Sequence, residues 1–575
     1  MESHRQLGPA GGAVRLIFLV LFILLPCSAA AQTAAPAADK LLQVRKLYEA
    51  GRWNDVVQAV PDSPGEPADL ELYRGLALAK LQRWDEAREA FEAGLAGHPR
   101  DARFLTELAG IAYRERKYAL ATRYLRRALA IDPHDDYANN FIASIYFLED
   151  NLEAALKYWN RVGKPRLAAL TYAPQPSLDP LILDRAFSFS PDGVWGRNQY
   201  LTTKTRLDAL DLFSRTRFDL AGQPDGSFDL TFRAAERNGW GGDKWQGLFS
   251  LLRGLPFETV YPQFYDLGHS GFNWLSLLRW DDQKRRLSSE LDAPLFQNPA
   301  VHVRLYYDAR DENWNVSNTI VPSAPSPSSL NLEKAVAGAE IHFIESSRWQ
   351  WRGGIEYSDR EYRTLSGIPA SAASFFTSGS ALELHSGVQR FVIRFPERRF
   401  TLLAGASGAL GAFFANPLGH YGRLQGSLAA DWFPQAQGED YEIQTRLRGG
   451  VTFGKVPFDD LFTLGFDRDT NLWLHGHPAL NDGQKGSAPL GRNFTLVNWE
   501  LDKIAYENPF FTVKLGPLLD TGDVYDPSGF FGSPKWLWDT GLQTKIHVLD
   551  SAEIILGYGK DLRSGRNSFF ATFSR

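Results

Sequence analysis

From about Trp240 to Arg575, apolar and polar residues alternate in short runs broken by turns. Val301, Val303, Leu305 and Tyr307 alternate with His302, Arg304, Tyr306 and Asp308. Leu424, Gly426, Leu428, Ala430 and Trp432 alternate with Gln425, Ser427, Ala429 and Asp431. Tyr441, Ile443, Thr445, Leu447, Val451 and Phe453 stand against Glu442, Gln444, Arg446 and Arg448. A period of two predicts strands that bury one face. The stretch from Lys40 to Val162 has helical spacing instead, and it repeats. Trp84 recurs as Tyr118, Ala87 as Ala121, Leu95 as Leu129 and Pro99 as Pro133, each 34 residues on. Ala121 then recurs as Ala155, and Leu125 as Trp159, at the same spacing.

This period and its small, aromatic and proline positions resemble tetratricopeptide repeats (TPR). Small residues let two helices approach, aromatics fill the groove between pairs, and proline stops the second helix. A stacked helical array of this kind presents a concave docking face and carries no chemistry. The repeats are assigned to 40–163. Residues 164–180 read as a proline-punctuated linker, and 181–238 as a small α+β module. Within the module, Leu183–Phe189 is expected as a strand and Leu201–Arg215 as helical. Arg217–Ala221 and Phe228–Ala234 flank Gln223-Pro-Asp-Gly226, which predicts a hairpin. A helix and hairpin just before a strand-rich region resemble the last POTRA domain of outer-membrane assembly proteins.

The first 31 residues read as a signal peptide. Arg5 and Arg15 precede and flank an apolar run, Leu16–Leu25, which Pro26 ends before Ala29-Ala30-Ala31. The single cysteine, Cys27, falls inside it, so the mature chain is expected to have no disulfide or thiol chemistry. No later run approaches eighteen apolar residues, which leaves a β-barrel as the way to cross a membrane. The 50 glycines and the aromatic residues near strand ends suit such a barrel. Residues 239–575 are therefore expected to form a transmembrane antiparallel barrel of about 16 strands. The fold class is multi-domain: TPR solenoid, POTRA-like module, barrel. A net charge of −5 argues for no nucleic-acid partner.

The candidate site is the stretch Leu472-Trp-Leu-His-Gly-His-Pro478. On the strand ending near Glu500, Asn498 and Glu500 share the face opposite Val497, Trp499 and Leu501. On the next, Lys514 and Asp520 share the face opposite Val513, Leu515 and Leu519. Both carboxylates are thus expected to point into the lumen, as partners for an inward loop. Leu474-His475-Gly476-His477, the strand ending in Glu500, Leu518–Tyr525 with Asp520 and Gly522, Asp539-Thr-Gly541 and Tyr558–Leu562 together resemble the outer-membrane surface-antigen superfamily. Bam/Tam-type assembly proteins and two-partner secretion transporters belong to it. In that superfamily the loop motif is an aliphatic residue, Arg, Gly and an aromatic. Here Leu474 and Gly476 match, His475 stands at the Arg position and His477 at the aromatic one. The aromatic C-terminal barrel signal is matched by Phe569, Phe570 and Phe573, although Ser574-Arg575 follow.

The resemblance implies that the loop cation contacts the wall carboxylates. Histidine offers at most two donors and titrates near neutral pH, so this lock is expected to be weaker than an arginine lock and to loosen as pH rises. Other readings stay open. His475 and His477 could be a metal pair, although no third ligand has convincing spacing, or ordinary hairpin residues. Asp308, Asp311 and Glu312 read as a solvated turn, and Val321–Ser329 as a flexible loop. No catalytic triad, phosphate loop or zinc motif is present, and neither an enzyme nor a cofactor or metal is expected. By the resemblance the chain would insert proteins into the outer membrane or move them across it. Its partners would be outer-membrane lipid and a periplasmic protein client held on the TPR face, with the N-terminal domains in the periplasm. Alternatives are an exopolysaccharide export pore and a receptor or adhesin barrel.

Overall fold

The computed structural model describes residues 34–61, 66–237, 239–240, 247–248, 251–316, 328–414, 419–508, 510–548 and 552–574. The proposed signal peptide and most of the Val321–Ser329 loop lie outside these residues. The chain divides into two compact units, 1–133 and 134–575.

In the first unit, helices pair as the 34-residue period requires. Ala68–Lys80 packs on Trp84–Gly97, and Ala102–Arg114 on Tyr118–Ile131. Ala87 and Ala121 are fully buried between helices. Pro99 and Pro133 each follow the end of a second helix. Two glycines do what the alanines alone cannot. A Cβ on Gly75 would sit 2.3 Å from the Phe91 ring, and one on Gly94 2.3 Å from Phe104, so each aromatic fills the space a side chain would take. The Arg114 guanidinium lies 4.1 Å from the Trp84 ring centre and covers its face.

The second unit begins with a further helix pair, Asp136–Leu148 and Leu152–Trp159, with Ala155 and Trp159 buried in it. The small module follows, and three expectations are corrected there. The 164–180 segment is not simply a linker: Leu167–Tyr172 is a strand, parallel to Phe228–Glu236. Its prolines flank the β-prone Leu-Thr-Tyr run and do not interrupt it. The Leu183–Phe189 segment is not a strand. Pro180–Ala186 is a helix, started by Pro180 and by Asp179, whose carboxylate accepts the Leu181 N–H. A second helix, Arg197–Ala209, ends earlier than the apolar spacing suggested, and Phe213–Gly222 leaves it as a strand. The hairpin pairs Phe213–Gly222 with Phe228–Glu236 as expected. The module is a three-stranded sheet with Phe228–Glu236 central, covered by two helices around Ile182, Leu183, Phe187, Leu207 and Phe232.

The rest of the unit is a closed antiparallel barrel. Among the described residues its wall has fourteen strands of eight or more residues, from Asn273–Trp280 to Asn567–Ser574. Two short pieces, Thr259–Val260 and Gln263–Phe264, lie where the last strand meets the first. Register turns the alternation into two bands. Leu305, Ala339, Ile355, Leu384, Leu410, Gly422 and Phe453 are consecutive cross-strand neighbours. The large side chains among them are all exposed. One residue away, Arg304, Glu340, Gly354, His385, Ala409, Arg423 and Thr452 form the neighbouring row on the opposite face. An apolar band outside and a polar row inside define a transmembrane barrel. No helix among the described residues is long and apolar enough to cross a membrane.

One barrel end carries short turns such as 296–297, 345–348 and 396–399, and the other carries the longest connections, 367–378, 455–492 and 526–536. The helix pair sits on the short-turn end. Asn151 Oδ1 accepts the Ala154 N–H at its helix start, while its Nδ2 donates to Pro396 O. Lys157 pairs with Glu397, and Tyr158 Oη donates to the same carboxylate at 3.0 Å.

Candidate functional site: the loop inside the barrel

The longest connection, 455–492, leaves the long-loop end and turns inward. Its hydrophobic residues pay for the ordering: Phe462, Leu464, Leu472 and Leu474 are buried against Phe494, Leu496, Val524 and Leu537 of the wall. The mouth above is filled by an aromatic cluster that includes Trp314, Tyr362, Phe375, Phe376, Phe458 and Phe531.

The Leu474–His477 motif lies against the last wall strands. His475 Nδ1 is 2.6 Å from Asp520 Oδ2, and the His475 backbone N–H donates to that same oxygen at 2.9 Å. Asp520 Oδ1 accepts Asn498 Nδ2 at 2.6 Å, and Asn498 also donates to Trp473 O. Asn498 and Asp520 are direct cross-strand partners, which fixes this pair of contacts. The His475 ring is flanked by Phe466, Trp473 and Phe570. His475 belongs to the loop and not to a spanning strand. Burial opposes charge on its imidazole, but Asp520 first, then Glu500 and Asp539, outweigh it and the ring pKa is raised. The carboxylate expected beside His475 is therefore there.

Glu500 is not a second direct partner, which corrects the sequence expectation. It faces the lumen as parity required, but its carboxylate is taken by Lys545 at 2.7 Å and Gln543 at 2.8 Å. The second loop contact is made by Asp539, which accepts the Gly476 N–H at 2.6 Å and faces His477 Nδ1 at 3.0 Å. Asp539 and Asp561 lie in Asp539-Thr-Gly541 and Tyr558–Leu562, face each other across neighbouring strands, and meet the loop at Gly476 and His477. His475 and His477 go to different carboxylates, so they are not a metal pair with each other.

Gly476 is required by contact. A Cβ there would lie 2.5 Å from Asp561 N, 2.7 Å from Lys560 C and 2.8 Å from Asp539 Cγ. Gly559 faces it, with a virtual Cβ 2.1 Å from His475 O. Gly522 performs the same service beside Leu464 of the loop, where a Cβ would meet Thr495 O at 2.7 Å. The C-terminal aromatics divide. Phe569 points outward and is 83% exposed, whereas Phe570 is buried against His475 and Phe466. Phe573 packs on Phe257.

A second set of contacts, not anticipated from sequence, holds the loop to the first wall strands. Asp469 pairs with Arg279 at 2.7 Å, Arg286 at 2.9 Å and Lys284 at 3.7 Å. Lys485 pairs with Glu312 at 2.7 Å. Arg279, Lys284, Glu312 and Lys485 are buried, as is the Asp469 side chain, while Arg286 is partly exposed, so the buried charges depend on their partners. Glu312 and Asp308, read as parts of a solvated turn, instead lie on a wall strand, buried and ion-paired. Between the two sets, Arg468 Nε donates to Ala571 O on the last strand, and its guanidinium covers Phe257 just before the first. The loop thus bridges the barrel closure from inside.

Residues 72–136 match the family model for the tetratricopeptide repeat. Among proteins with curated descriptions, none matches. The chain is similar in structure to CdiB from Escherichia coli, at 11% identity and TM-score 0.46, over 72% of this chain and 76% of that one. It is also similar to CdiB from Acinetobacter baumannii, at 11% and 0.44, over 73% and 80%. BamA from Haemophilus ducreyi lacking POTRA domains 1–3 is similar at 11% and 0.40, over 71% and 84%. The class that the fold itself defines is a transmembrane β-barrel with tetratricopeptide repeats ahead of it.

Proposed function

We propose that this chain is an outer-membrane insertase or translocase for protein substrates, with a periplasmic TPR arm that docks a client or partner protein. The observation that carries the reading is the inward loop. It is tied to the last wall strands through Asp520 and Asp539 and to the first through Arg279, Arg286 and Glu312. A passive polysaccharide pore has no use for a loop strapped across its own closure, whereas a barrel that opens for a protein segment needs a latch. The small module has strand, two helices and a hairpin, with the hairpin's second strand central, and we read it as POTRA-like. It sits with the Asp136–Trp159 helix pair at the short-turn end, which in this reading faces the periplasm. Nothing in the proposed action is covalent chemistry.

The test uses His475→Cys with Asp520→Cys in a chain whose Cys27 is replaced. Oxidation should join loop to wall. The protein is then placed in liposomes, and insertion of an unfolded outer-membrane protein is followed by protease protection. Faster insertion after reduction supports the latch. Equal rates in both states, with polysaccharide instead crossing the reduced barrel, would transfer the assignment to an export pore. A loop cysteine labelled from the cell surface without pairing would favour the receptor reading.

A further inference from the structure

His477 sits between two carboxylates on neighbouring strands. Its Nδ1 lies 2.9 Å from Asp539 Oδ1 and 3.0 Å from Asp539 Oδ2, and its Nε2 lies 3.6 Å from Asp561 Oδ2. Asp539 and Asp561 are direct cross-strand partners. One donor atom from each of the three residues falls within 4.8 Å of the others. Asp539 is fully buried, and its Oδ1 accepts no hydrogen bond, because Nδ1 and the Gly476 N–H both serve Oδ2. Asp561 Oδ1 accepts the Arg563 N–H and its Oδ2 accepts Ser564 Oγ, which leaves lone pairs on both oxygens.

The charge balance points the same way. At other lumen carboxylates a lysine or arginine is at hand: Glu500 pairs with Lys545, Glu312 with Lys485, and Asp469 with two arginines and a lysine, whereas Asp520 has His475. Among the described residues, no lysine or arginine side chain pairs with Asp539 or Asp561. A neutral imidazole has one N–H and one lone pair, so with both nitrogens facing carboxylates, one lone pair faces an anion. Even a protonated ring leaves the trio one negative charge in excess. A divalent ion with a neutral ring makes it zero.

We propose that His477, Asp539 and Asp561 form a binding site for a divalent transition-metal ion of the zinc or manganese class. One imidazole nitrogen and two carboxylate oxygens suit these borderline ions, with water filling the remaining positions. His477 is 15% exposed at its side chain, which leaves a path for a small ion. The ion clamps the loop to the neighbouring strands Leu537–Val548 and Ala552–Asp561, beside Asp520, and stabilises the inward loop.

The experiment uses the full chain purified in detergent, stripped with EDTA and re-equilibrated with Mn²⁺ or Zn²⁺. Bound metal is counted after desalting, and pulsed electron paramagnetic resonance on the Mn²⁺ form looks for coupling to an imidazole nitrogen. The site predicts about one ion per chain, nitrogen coupling, and a thermal midpoint that rises with the ion. His477→Ala should abolish the coupling, and Asp561→Asn, which keeps the side-chain shape, should weaken binding at least tenfold while the barrel remains folded by its heat-dependent gel mobility. Binding well below one ion per chain, or stoichiometric binding unchanged in both variants, would overturn the site.

Discussion

His475 and Asp520 are joined twice, ring nitrogen and backbone N–H both donating to one carboxylate oxygen at 2.6 and 2.9 Å. The bond links a loop to a wall strand in a place where both side chains are buried. His475→Ala removes the ring and leaves Asp520 with neutral donors only. Removing one partner of a buried charged pair costs about 3 kcal/mol. Amide exchange across residues 472–478 should then quicken and the thermal midpoint of the barrel should fall, while the Asp469 and Lys485 pairs keep the rest of the loop in place. Unaltered exchange at residues 472–478 would show that the His475 side chain does not hold this part of the loop.

Because the loop is held on both sides of the barrel closure, the two sets of contacts should be coupled. Asp469→Asn weakens the pairing to Arg279, Arg286 and Lys284, and Asp520→Asn weakens the pairing to His475. With either variant alone, the other side still retains the loop. Together they should release it, with a coupling of about 1–3 kcal/mol beyond the sum. Channel recordings in planar bilayers read this directly. Each single variant should stay mostly closed and the double variant should conduct, whereas simple additivity would mean that the two sides act independently.

Much of this was legible in the chain. Alternation around Leu305, Leu424 and Leu447 marks the wall, and the period shared by Ala87, Ala121 and Ala155 marks the repeats, because both patterns report burial along one element. Parity placed Asp520 in the lumen for the same reason. Partners across the barrel were not legible. Glu500 and Asp520 look equivalent in sequence, but Lys545, one strand further on, claims Glu500. Asp469 and Arg279 are 190 residues apart, and no local period reports such a pair. The strand 167–172 was hidden by the prolines on either side of it, and the helix 180–186 by a run too short to show its period.

Gly476 tests the closeness of loop and wall. Its virtual Cβ meets the backbone at Asp561 N and Lys560 C, and neither can move without breaking the strand pairing. Gly476→Ala should therefore destabilise the inward loop by about 1–3 kcal/mol through overpacking. Gly426, on a wall strand with nothing within 4 Å of its virtual Cβ, is the control, and Gly426→Ala should leave loop protection unchanged. Equal effects at the two positions would mean that contact at residue 476 is not what selects glycine.

The short-turn end carries a contact that acid should loosen. Glu397 lies in the turn Pro396–Arg398, outside the spanning strands, beside Lys157 and Tyr158 of the docked helix. Burial opposes its charge, but Lys157, the turn backbone and Tyr158 outweigh that and hold its pKa below the ordinary 4.5. A lowered folded pKa contributes stability that is fully present above the unfolded value and is lost as pH falls through the folded one. Docking of Leu152–Trp159 should thus be at full strength near neutrality and weaken progressively below about pH 4.5. In Lys157→Met the charge pair is gone, so the loss of docking in acid should be smaller. Hydrogen exchange across residues 152–159 between pH 3 and pH 6, corrected for intrinsic rates, follows both proteins. The same acid response in each would mean that the Lys157–Glu397 pair does not hold the helix to the barrel.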